Sequence, residues 1–199
     1  MAEVSVEPPA ARERLLATAY DLFAHRGVRG VGIDEIIAKS NVAKATFYKH
    51  FRTKNDLVLA FLERREQVWT YGFVANGARA RSDNPEGQLL AIFDVFDDWF
   101  SSPDEFDACS FINVMLEMGT GHPLGEACVG YLDNIRSVVN VLASEAGLRD
   151  PEEFARSWHI LMKGSIISAA EGDLKAARRA KEMGRTLVEE FRTPTVSLN

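Results

Sequence analysis

The stretch "GVRGVGIDEIIAKSNVAKATFYKHFRTKNDL", Gly27 to Leu57, decides how the chain folds. Ile33, Ile36 and Ile37 recur at helical spacing, which predicts a helix starting near Gly32 with these three on its inner face. Glu35 follows Gly32 by three residues, as in a capping box whose hydroxyl residue has become Gly. Asn41 falls where the chain must turn sharply, and Asn accepts left-handed backbone better than any residue except Gly. Lys44 to Phe51 is the next helix. Its Phe47 and Phe51 are four apart and point inward, so Ala45, Thr46, Lys49 and Arg52 face outward, with Tyr48 and His50 at the flanks.

Two helices joined by such a turn, the second short and polar outside, form the helix-turn-helix arrangement whose second helix enters the DNA major groove. The residue types suit that task. Lys44 and Lys49 neutralise phosphate or donate to guanine, Thr46 donates to phosphate or base, and Tyr48 and His50 reach backbone oxygens. Ala45 keeps the helix narrow and offers a methyl to thymine. Lys54 opens a further helix, where free N–H groups and the helix dipole also favour phosphate.

Charge is distributed accordingly. The chain carries a net −6, but residues 1–54 hold nine Lys and Arg against six Asp and Glu, leaving +3, and the remainder carries −9. A local nucleic-acid surface on an acidic body produces this asymmetry. The hydrophobic content of 46% is enough for a core. Cys109 and Cys128 make no disulfide framework and have no metal-ligand spacing around them, so no cofactor is expected and the thiols read as reduced. No secretory leader or membrane-length apolar run is visible, so a cytoplasmic protein without membrane contact is expected.

Helical periodicity extends along nearly the whole chain, and sustained period-two alternation is absent, so the fold is expected to be all-α with about nine helices. Residues 1–9 read as a disordered tail, 10–54 as the helix-turn-helix DNA-binding domain, 55–192 as a second helical domain, and 193–199 as a frayed tail. The helices are predicted over about Ala11–His25, Gly32 onward, Lys44–Phe51, Lys54–Phe73, Gln88–Phe100, Glu105–Met118, Glu126–Ala146, Pro151–Glu171 and Leu174–Phe191.

The segment Arg12–Leu62, and above all the Tyr48-Lys49-His50-Phe51 run followed by Lys54 and Leu57, resembles the DNA-binding signature of the tetracycline-repressor (TetR) family of one-component regulators. The resemblance implies a ligand-responsive repressor that binds a near-palindromic double-stranded operator as a homodimer. It also implies that Lys44, Thr46, Tyr48, Lys49 and His50 face DNA with Lys54 on phosphate, and that the second domain binds a small-molecule effector and dimerises through its last two helices. Three positions depart from the family pattern: Gly32 stands for the usual capping Thr, Asn41 for the turn Gly, and Ala43 for the Ser that opens the recognition helix.

In the second domain, Trp69, Phe93, Phe96, Phe100, Phe111, Met115, Trp158 and Met162 are candidates for an apolar effector cavity, with Asp97 and Asn113 as polar groups at its edge. Inward-pointing aromatics serve plain core packing equally well. Cys109, Asn113 and Glu117, each four apart, form one polar stripe. Leu161, Ser165, Ser168, Ala169 and Leu187 lie on stripes suited to a four-helix interface between two copies.

Two functions from other classes compete. A helical enzyme could use His122 with Glu126, or Cys128, Glu117 and His159, but none of these has a motif spacing, so no catalytic activity is expected. A protein-interaction module would have no role on DNA.

Overall fold

The computed structural model describes residues 10–102 and 106–192. The expected tails at 1–9 and 193–199 fall outside them. Among the described residues there are nine helical rods and no strand, with a single bridge between Leu148 and Arg192. The rods are α1 (Ala11–Arg26), α2 (Ile33–Ser40), α3 (Lys44–His50), α4 (residues 54–81), α5 (Pro85–Phe100), α6 (Ser110–Met118), α7 (Pro123–Glu145), α8 (Pro151–Ala170) and α9 (Ala176–Phe191). The all-α expectation holds.

The chain divides into two compact units. The first contains the described residues up to Arg65 together with Ser110–Cys128, and the second contains Glu66–Cys109 and the described chain from Val129. This division differs from the expected boundary after residue 54, because α4 joins the first unit as far as Arg65 and α6 belongs there too.

Buried side chains from α1 to α4, with Phe111 and Val114 of α6, build the first unit's core. Leu15, Leu16, Ala19, Leu22 and Phe23 come from α1, Ile36 from α2, Phe47 from α3, and Leu57, Val58, Phe61 and Leu62 from α4. Phe61 meets Tyr20 at 5.4 Å and Phe23 at 5.6 Å between ring centroids. The start of α4 is secured by a reciprocal box: the Thr53 amide donates to Asp56 at 2.9 Å, and the Asp56 amide donates to the Thr53 hydroxyl at 3.2 Å. Helix α6 begins at Ser110 rather than near residue 105. Ala108 takes φ 57°, which an α-helix does not accommodate.

In the second unit α4 is not uniform. Glu66–Ala75 is π-helical, and Asn76–Arg81 returns to α geometry. The Asn84 side chain caps α5 by accepting from the Gly87 amide at 2.7 Å, and Pro85 supplies the preset φ of the first turn. Asp150 and Pro151 repeat this device at α8. The core is a run of rings: Trp69 on Phe96 at 5.9 Å, Phe93 on Trp158 at 5.1 Å, and Trp158 stacked on Phe154 at 5.2 Å. Gly184 lets α9 close on this run, for a Cβ there would sit 2.8 Å from the Trp158 ring and 3.3 Å from Phe93.

Candidate nucleic-acid interface

The turn between α2 and α3 is built as its sequence demands. Asn41 is left-handed at φ 51° and ψ 49°, and the amides of Asn41 and Val42 return to the carbonyls of Ala38 and Ile37. Arg14 of α1 reaches across and donates from Nε to the Ser40 carbonyl at 3.2 Å. Val42 is buried beneath the turn. Of the three isoleucines expected inside α2, Ile36 is fully buried, whereas Ile33 and Ile37 are half-buried.

Phe47 and Phe51 are buried, with ring centroids 6.1 Å apart, and they anchor α3 from below. Lys44, Ala45, Tyr48, Lys49 and His50 are exposed and Thr46 is half-buried. The short helix therefore presents one continuous polar, cationic face. Tyr48 leans edge-on against Phe47 at 5.2 Å, so its ring is steadied while 46% of the residue stays open to solvent. Ala43 occupies the N-cap with extended backbone and offers no side-chain bond to the free amides of the first turn.

Two of the sequence-predicted cations are already engaged. Lys44 pairs with Asp34 at 3.0 Å, and that hydrogen bond and charge hold its ammonium above the usual lysine range. Lys54 donates to the Val28 carbonyl at 2.5 Å. Burial pushes its ammonium below the usual lysine range, while the Glu117 carboxylate pulls the other way. The phosphate role expected of Lys54 thus meets a different geometry: its ammonium holds a loop of the first unit, and the helix start that was to attract an anion is capped by Asp56.

Glu117 of α6 completes the same loop, accepting from the Val28 amide at 3.0 Å and the Arg29 amide at 2.5 Å. Sequence reasoning placed Glu117 only on a polar stripe with Cys109 and Asn113. Cys109 is buried and Asn113 exposed, so the three do not share one environment. The partner of Glu117 lies 89 residues earlier in the chain, and helical spacing carries no signal of it.

The residues expected to wall an effector cavity divide between the two units. Trp69, Phe93, Phe96, Phe100, Trp158 and Met162 are buried in the second unit, where the rings pack against one another. Asp97 is bonded to Arg178 at 2.9 Å rather than open to a guest. Phe111 is buried, Met115 half-buried and Asn113 exposed, and all three belong to the first unit. Inward aromatics here are core.

Of the residues expected at a dimer face, Leu161 and Leu187 line an open groove between α8 and α9 together with exposed Ile160 and Met183. Ser165 and Ala169 are buried inside the unit and Ser168 is half-buried. The small-residue stripe therefore packs within the chain, and the open face is the next stripe round the helix. His122 accepts the Leu124 amide on Nδ1 at 3.1 Å, and Glu126 is exposed on α7. That histidine serves a helix start. Among the described residues no group of three His, Cys, Asp or Glu side chains is placed to hold a metal ion.

Residues 15–61, spanning α1 to the first turns of α4, match the family model described as bacterial regulatory proteins, tetR family. The fold continues the likeness: a TetR-family transcriptional regulator from Streptomyces coelicolor superposes with a TM-score of 0.81 at 29% identity, over 91% of this chain and 95% of that one. This chain's helix-turn-helix segment belongs to the TetR family. The HTH-type transcriptional activator FasR of Mycolicibacterium smegmatis is 35% identical over 86 residues, which is 43% of this chain and 39% of the relative. The repressor NemR of Escherichia coli K12 is 43% identical over 53 residues, or 27% of each chain. The matched stretch thus spans well under half the length of either curated relative.

Proposed function

We propose that the protein is a homodimeric transcriptional regulator, most simply a repressor, that sets α3 of each copy into the major groove of a near-palindromic operator and is governed by a small effector held in its second unit. The exposed face of α3 carries this reading: Lys49, Tyr48, His50 and Ala45 stand clear of the core because Phe47 and Phe51 take the inward positions. Lys49 and Arg52 form no ion pair among the described residues, so their charge is available to phosphate. Two half-sites need two recognition helices about 34 to 36 Å apart, which a dimer supplies. The groove of Leu161, Leu187, Ile160 and Met183 supports pairing through α8 and α9. Operator DNA places its work in the cytoplasm, and no described helix is long and apolar enough to cross a membrane.

The test is an electrophoretic shift with duplex from the protein's own upstream region. We expect a complex at low salt whose affinity falls steeply as salt rises. Lys49→Ala is expected to lower affinity and to reduce the salt slope by about one. Tyr48→Phe is expected to weaken binding and leave the dimer intact. Failure to shift any upstream duplex at low salt would remove the DNA reading and leave the protein-interaction alternative standing.

A further inference from the structure

The second unit contains a cleft of about 520 Å³ lined by none of the aromatic residues that the sequence offered as a pocket. It runs between α4, the first turn of α5 and the C-terminal half of α7. Its volume lies in the range that accepts drug-sized molecules. Val138, Val141 and Leu142 of α7 make an apolar wall. Val141 is 55% exposed, an apolar side chain largely open to the cleft.

The opposite wall begins on the π-helical part of α4. Helices of this kind are uncommon, mostly confined to single turns and frequent at functional sites, and here the geometry persists over ten residues. Tyr71 and Ala75, four residues apart, share the face that lines the cleft, and Asn76 and Arg79 of the α-helical turn that follows continue it. The first residue of the π segment is tied to the cleft as well. Buried Glu66 accepts from the Asn134 side chain at 2.6 Å, and Asn134 lies on the cleft wall.

The charges of the lining are balanced. Arg79 and Glu145 both face the cleft, and neither forms an ion pair among the described residues. Arg79 makes only a long 3.5 Å contact to Asn76. A guest of net negative charge gains from Arg79 and loses to Glu145, and a cation does the reverse. A net-neutral guest with both donors and acceptors at its polar end is favoured by both groups, while its apolar body covers Val138, Val141 and Leu142.

Resting on the reading above of an effector-governed regulator, we propose that this cleft is the effector site and that it takes a net-neutral amphipathic molecule, its donor-and-acceptor head at Arg79 and Glu145.

The experiment is calorimetry on the full chain without DNA, using three probes that share one body: 4-phenylbutyramide, 4-phenylbutyrate and 4-phenylbutylamine. The amide is expected to bind once per chain, at least tenfold tighter than either ion. Arg79→Met is expected to shift preference toward the amine and Glu145→Gln toward the carboxylate. Val141→Trp, with helicity and melting temperature retained, is expected to abolish binding by filling the cleft. No saturable heat with the amide, equal affinities for the three probes, or binding undiminished in Val141→Trp would each overturn the site. These outcomes involve no DNA, so they stand apart from failure of the operator reading. A second arm adds the amide to an established operator complex. Release is expected, and an unchanged complex overturns the effector assignment.

Discussion

The two units solve the problem of fixing a helix in different ways. In the first, besides pairs such as Arg64 with Glu13 and Lys44 with Asp34, side chains grip the backbone of its loops: Glu117 holds the amides of Val28 and Arg29, Lys54 the carbonyl of Val28, and Arg14 the carbonyl of Ser40. In the second, side chains grip one another: Lys181 meets Asp94 at 2.6 Å, Arg178 meets Asp97, Arg192 meets Glu86 at 2.7 Å, and rings fill the space between helices. Length explains the difference. Helices of seven or eight residues, such as α3 and α2, are marginal by themselves and present few core positions. Their orientation must be set through the loops that carry them. Rods of sixteen residues or more bury enough apolar surface that their charges need only decorate the seams.

The comparison breaks most visibly in acid if the second unit depends on excluding charge. His159 is 2% exposed, and its Nδ1 has no hydrogen-bond partner. Burial holds the imidazole down to about 3, and Lys163 and Arg136 push the same way. Unfolded, the ring titrates near 6.5. Between those values the unfolded chain binds a proton that the folded one refuses, so unfolding free energy falls as pH drops through the window, by about 1.4 kcal/mol for each unit. His159→Leu is expected to lose this slope, measured as the difference between variant and parent in urea unfolding at pH 6, 5 and 4. Parallel pH curves for the two proteins would show that the second unit tolerates charge at that position.

The backbone grip of the first unit is tested at Glu117. Replacing it with Ala strips the acceptor from two amides, an expected loss of about 1 to 3 kcal/mol. Glu117→Gln retains one acceptor and is expected to recover part of it. Hydrogen exchange at Val28 and Arg29 should accelerate in Glu117→Ala before global unfolding does. Unchanged exchange at those amides would mean that the loop is held by packing, as in the second unit.

These contrasts also explain what the residues disclosed in advance. The Ile33 to Phe51 pattern was readable because every signal in it is local: a three-to-four period, an Asn where φ turns positive, and two Phe residues four apart. The all-helical course was readable for the same reason. The seams were not. Asp97 finds Arg178 at 81 residues' separation and Asp94 finds Lys181 at 87, and nothing in the neighbourhood of either acid announces its partner. Inward direction alone does not separate core from cavity, so Phe93, Phe96 and Trp158 fit a pocket wall until their rings were seen packed together. The cleft at Tyr71 and Val141 was not legible because its walls come from α4, α5 and α7, segments far apart in the chain whose pairing leaves no local signal. On α8 the expected interface residues divide: Ser165 and Ala169 turn inward, while Leu161 lines the open groove beside Ile160.

The smallest expected effect is the most specific to α3. Ala43 holds the extended N-cap conformation, and its carbonyl already accepts the amides of Thr46 and Phe47 at 2.9 and 3.0 Å. What it lacks is a side-chain oxygen for the first-turn amides. Ser fits that backbone without rearrangement, so Ala43→Ser is expected to raise unfolding free energy by about 1 kcal/mol, and Ala43→Gly, also a favourable N-cap, by a few tenths less than that. A paired shift in urea midpoint at constant slope is the measurement. If Ser brings nothing, the free amides of α3 are met by solvent as well as by a hydroxyl, and the seven-residue helix owes its position wholly to Phe47, Phe51 and the grip on the loops before it. If Ser does stabilise α3, operator affinity measured on the same variant separates the two uses of that amide cluster: a capped helix start that binds duplex more weakly would mean that phosphate occupies the position in the complex.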